Sequence, residues 1–161
     1  MDIRITKTAA PAARPDAGTL GFGKYFTDHM FMMDYDAGQG WHDARIVPFG
    51  PLTLTPAAAV FHYGAEVFEG LKAYRTAAGN VQLFRPIDNM RRMNDSAERI
   101  GLPQFDEQDG MQALLALVDL DRDWVPAADG TSLYLRPFLI ATDPSLGIHT
   151  IEHALFCIIA S

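Results

Sequence analysis

The chain is short of cations, and of lysine most of all. Its 161 residues carry 13 Lys and Arg against 20 Asp and Glu, a formal net charge of -7. Three of those cations are lysines: Lys7, Lys24 and Lys72. A surface of that sign repels phosphate backbones and argues against a nucleic-acid partner. Cysteine is scarcer still. Cys157 stands alone, so no disulfide can close within the chain, and a reducing, cytoplasmic setting is expected. Met1 to Lys7 lacks the apolar segment of a signal peptide. No apolar run approaches the roughly 20 residues that span a bilayer, so no membrane partner is expected. A glycine-rich nucleotide fingerprint is missing too: after Gly21-Phe22-Gly23, Phe26 stands where the third glycine belongs. What remains, 48% hydrophobic and 20% charged, is the composition of a globular domain long enough for one core.

Taken in order, residues 1–22 are rich in Ala, Pro, Gly and Thr, lack periodicity, and read as a flexible arm before a domain at 23–161. His29 to Asp36 and Trp41 to Phe49 read as strands joined by a turn at 37–40. Thr55-Pro56 reads as a helix start, with Thr as cap and Pro in the first position. That helix is expected to run to Gly70, where Leu71 to Thr76 begins a strand that pairs with Val81 to Phe84. Pro86 opens a helix whose apolar face is Ile87, Met90, Met93, Ala97 and Ile100, and Gly101 ends it. Asp106 caps a second helix carrying Met111, Leu114, Leu115, Leu117 and Val118, with a solvated tail at Asp119 to Asp123. Ser132 to Thr142 and His153 to Ala160 read as apolar strands. Two main helices against a mostly antiparallel sheet make an α+β fold.

Three patterns mimic chemistry they cannot perform. His149-Thr150-Ile151-Glu152-His153 has inverted zinc-protease spacing, but a β-rich run follows it, so one helical face cannot hold both imidazoles. Asp119 to Asp123 starts like a calcium loop, yet Trp124 and Gly130 stand where Gly and Glu belong. No metal site is expected. Glu66 and Glu69, read as three apart on one helix, are expected to be a surface edge and one buried acceptor rather than a hydrolytic pair.

The informative stretch is Tyr63 to Arg75, YGAEVFEGLKAYR, with a phenol, a phenyl ring, two carboxylates and a cation near one another. Three segments follow it in order. They are Phe84-Arg85-Pro86 leading into Asn89-Met90-Arg91-Arg92-Met93, then Ser132 to Pro137 (SLYLRP), then Pro144 to Ile148 (PSLGI). Together they resemble the branched-chain amino acid aminotransferases, fold-type-IV (class IV) enzymes that use pyridoxal 5'-phosphate.

The resemblance implies the small N-terminal domain of such an enzyme, acting on leucine, isoleucine or valine with 2-oxoglutarate. It implies that Arg92 binds the cofactor phosphate and that Tyr134 and Arg136 orient the substrate. Phe68 would wall the side-chain pocket, and Tyr63 and Ile148 would serve a neighbouring subunit's pocket in a homodimer. The lysine that carries the cofactor would lie in a C-terminal domain beyond this chain. Lys72 is then a strand residue with its amine toward solvent, no catalytic residue lies here, and the chain alone is expected to be inactive and free of cofactor. Two alternatives stay open: a related class IV enzyme (D-amino acid aminotransferase or aminodeoxychorismate lyase), or a non-catalytic assembly or binding module or truncated fragment.

Overall fold

The computed structural model describes all 161 residues. In chain order the strands are β1 (Arg4–Ile5), β2 (His29–Asp36), β3 (Gly40–Pro48), β4 (Glu66–Phe68), β5 (Leu71–Arg75), β6 (Val81–Leu83), β7 (Leu133–Ala141) and β8 (His153–Ala160). The helices are α1 (Ala59–Tyr63), α2 (Pro86–Ile100) and α3 (Glu107–Leu120). The strands form one sheet in the order β1-β3-β2-β8-β7-β5-β6, antiparallel except where β1 pairs with β3, and β4 pairs with β7 off this path. The α+β expectation therefore holds.

Alternation divides the sheet into two faces. On β7 and β8 the residues Leu133, Leu135, Leu139, Phe156 and Ile158 join the main core, with Met90, Met93 and Ala97 of α2 and Ala113, Leu114 and Leu117 of α3. Tyr134, Arg136 and Ile159 occupy the alternate positions and are only half-buried. Helices thus cover one face, while the other is mixed: Ile140, Leu155 and Cys157 are buried there beside the half-buried Tyr134 and Arg136.

β7 is edged by two short strands because of its proline. β5 pairs with Leu133 to Leu135 and β4 with Phe138 to Ile140. Between them Pro137 has no N–H to offer, and only its carbonyl is used, by the Glu69 amide at 2.9 Å. The chain breaks there, at Glu69-Gly70, and the break lies beside the functional residues.

Several expectations are corrected. The helix near Thr55 begins later, at Ala59; Thr55-Pro56 instead forms a turn in which the Ala57 amide donates to Thr55 Oγ1. It also ends earlier, at Gly64, whose left-handed φ of 58° suits glycine. Glu66 is consequently on β4 and Glu69 follows it, so the two never share a helix. Ile100, assigned to an apolar face, is exposed, and so is Leu115 of the second helix. Asp121 is no solvated tail: it is 4% exposed, accepts from the His29 amide at 3.0 Å and lies 2.6 Å from His29 Nδ1. Residues 1–22 are mostly exposed, with the Thr8 amide donating to His29 Nε2 at 2.9 Å and the Ala12 amide to Asp28 Oδ1 at 2.8 Å.

Candidate active site

Three of the named residues meet on the open face of the sheet. Tyr134 and Arg136, two apart on β7, point the same way, and Arg136 Nη2 donates to the Tyr134 hydroxyl at 2.8 Å. Phe68, opposite Phe138 in the β4–β7 register, places its ring 4.3 Å from the Arg136 guanidinium carbon. That is cation–π range. Arg136 has no carboxylate within 4.0 Å, although Arg45, Arg85, Arg91 and Arg92 each do.

Gly70 makes this packing possible. A Cβ added there would lie 2.2 Å from the Tyr134 hydroxyl. On the other side of the break, Arg92 on α2 grips Glu69, with Nε to Oε1 at 2.9 Å and Nη2 to Oε2 at 2.7 Å. Glu69 Oε2 also accepts from Asn89 Nδ2 at 2.8 Å, and Asn89 Nδ2 reaches the Gly70 carbonyl at 3.4 Å. Burial pulls the Glu69 pKa upward, but the bonds from Arg92 and Asn89 outweigh it and hold the carboxyl below its usual range. The expectation of one edge carboxylate and one buried acceptor fits Glu66, which is exposed, and Glu69, whose side chain is 12% exposed.

Tyr63 and Ile148 form a separate group. The Tyr63 hydroxyl donates to the Leu146 carbonyl, tying the end of α1 to the loop that carries Ile148. A bridge between Ala58 and Pro144 reinforces that tie. Ile148 itself is 91% exposed. His149 lies in the same loop and His153 on β8, so no helix presents the pair.

Sequence reading missed Phe22, and it did not join the buried Glu69 to Arg92. Phe22 sits edge-on to Tyr134, with ring centroids 4.9 Å apart. It also lines a cleft of about 880 Å³ with Leu20, Tyr25, Lys72, Trp124 and Tyr134, and a smaller one of about 210 Å³ with Arg136 and Ile159. Phe68, Arg92, Tyr63 and Ile148 line neither cleft. A large aromatic between two glycines was the available signal. Lys72 is an exposed residue of β5, opposite Tyr134 in register.

No protein-family model matches the chain. Among curated proteins it is 56% identical over 159 residues to branched-chain-amino-acid transaminase 1 of Bacillus subtilis (strain 168), covering 99% of this chain and 45% of that protein. Among solved structures it resembles the branched-chain aminotransferase of Thermoproteus uzoniensis with norvaline, at TM-score 0.61 and 26% identity, covering 81% of this chain and 40% of the other. The T.th. branched-chain amino acid aminotransferase with pyridoxamine 5'-phosphate has the same fold, at TM-score 0.59 and 24% identity over 80% of this chain and 38% of that one. The chain spans less than half the length of the relatives it matches. In sequence and in fold, the chain is therefore similar to one part, less than half, of the branched-chain-amino-acid aminotransferases.

Proposed function

We propose that this chain is the N-terminal part of a pyridoxal 5'-phosphate-dependent enzyme that exchanges the amino group between leucine, isoleucine or valine and 2-oxoglutarate. The uncompensated charge of Arg136 carries this reading. A half-buried guanidinium without a counter-ion is disfavoured unless a ligand supplies one. Its planar fork beside a phenol suits a substrate carboxylate, whether on the amino acid or on the oxo acid. Phe68 and Phe22, exposed at 59% and 77%, offer apolar surface for an aliphatic side chain, where each buried methylene is worth roughly 0.8 kcal/mol.

The donor set also fits a phosphate. The Arg92 fork to Glu69 uses Nε and Nη2 and leaves Nη1 without a partner on a side chain that is 61% exposed. When bound, the cofactor supplies the carbonyl that takes up and returns the amino group. This chain's part is to hold its phosphate through Arg92, to orient substrate through Arg136 and Tyr134, and to exclude water with Phe68 and Phe22. Lys72 takes no part, and the lysine that carries the cofactor belongs to the remainder of the longer protein. The exposure of Ile148, and the anchoring of its loop by Tyr63, support their being lent to a second copy's pocket in a homodimer.

In the full-length polypeptide carrying this domain, Arg136→Gln is expected to raise KM for leucine and 2-oxoglutarate roughly 30-fold or more, the equivalent of about 2 kcal/mol. Arg91→Gln, which removes a guanidinium bound to Glu107 and Asp88, leaves both constants unchanged. Unchanged KM values in the Arg136 variant would refute the assignment.

A further inference from the structure

We infer that Glu69 is a positioning residue for the cofactor phosphate: it holds the Arg92 guanidinium so that the free Nη1 end faces the ligand. This rests on the proposed role of Arg92 above. The carboxylate is itself built into place. Its backbone amide is fixed on Pro137 and its oxygens accept from Arg92, from Asn89 Nδ2 at 2.8 Å and from the Gly70 amide at 3.3 Å. With the Glu69 side chain 12% exposed and Arg92's 61% exposed, a rigid acceptor grips a guanidinium that solvent would otherwise leave mobile. Arg92 stands mid-helix, where the α2 dipole gives it no direction, so orientation must come from a side chain. A fork gripped on two nitrogens has lost its rotational freedom before the phosphate arrives, and the ligand need not meet that cost.

The competing physics has the opposite sign. A carboxylate on the fork also places a negative charge near the phosphate, and removing it would then strengthen binding.

The experiment measures dissociation of pyridoxal 5'-phosphate and of unphosphorylated pyridoxal from the full-length polypeptide, using absorbance of the bound chromophore. Glu69→Gln is expected to weaken pyridoxal 5'-phosphate roughly tenfold, about 1.4 kcal/mol. Pyridoxal affinity should be unchanged, and the effect should vanish in an Arg92→Ala background. Asn89→Ala, which removes one donor from the carboxylate but keeps the fork, gives a smaller loss with the same phosphate dependence and serves if the Glu69 variant does not fold. Unchanged or tighter phosphate binding in Glu69→Gln overturns the inference, as does equal weakening of both ligands. Arg92→Ala with wild-type affinity would instead refute the role of Arg92 and, with it, the inference.

Discussion

Gly70 sets how closely the β4–β5 break can approach β7, and Tyr134 uses all of that space. Alanine there would put a methyl group 2.2 Å from the phenolic oxygen. The ring must then move off Arg136, or the break must shift. Gly70→Ala is expected to cost about 1–3 kcal/mol, as overpacking does, and to release the Arg136 guanidinium. Gly18→Ala, with nothing within 4 Å of the added carbon, is the neutral control. Thermal denaturation of both variants checks this; equal midpoints would show that Tyr134 yields freely. At this scale the sequence was partly legible. Tyr134 and Arg136 could be placed together because a strand repeats every two residues. Glu69 could not be linked to Arg92, because a contact across 23 residues depends on the break at Pro137, and no local pattern announces it.

The elements were legible in proportion to their length. α2 and α3 span 15 and 14 residues, enough turns for apolar spacing and end signals to agree. β4 has three residues and α1 has five, too few for either period to declare itself. Faces were read less well than spans, since Ile100 fits the helical period of α2 yet is exposed, as is Leu115 of α3. The end signals can be tested directly. Asp106 Oδ1 accepts from the Gln108 and Asp109 amides at 2.7 and 3.2 Å, occupying two donors that the first turn of α3 leaves free. Asp106→Ala should cost about 1 kcal/mol. For a chain of this size that lowers the melting temperature by roughly 2–4 °C. A midpoint within error of wild type would mean that water replaces the cap at no cost.

Across the whole molecule, one carboxylate joins three neighbouring strands. Asp36 of β2 meets His153 of β8 at 2.5 Å and His42 of β3 at 2.7 Å. Hydrogen bonds from His153, then from His42, hold the Asp36 pKa below its ordinary value. A carboxyl depressed in the folded state contributes stability that is complete above the unfolded pKa, about 4, and is lost as pH falls through the lower folded value. Glu69 is depressed as well and works in the same direction. Melting temperature should therefore hold steady down to mildly acidic pH and fall below about pH 4. Asp36→Asn should lower it at neutral pH and converge with wild type in acid; a constant gap at every pH would deny the clasp its charge dependence.

β8 lies between β2 and β7, so the middle of the sheet is made from residues 153–160, the last of its strands in chain order. Everything on the β2 side and everything on the β7 side is synthesised before the strand that joins them. Until then each half presents an unpaired edge: β2 along Phe31 to Asp36, and β7 along Leu135 to Ala141. Such edges recruit other chains as readily as their own. The nascent domain is therefore most adhesive just before its sheet closes, and the eight residues that close it also end that hazard.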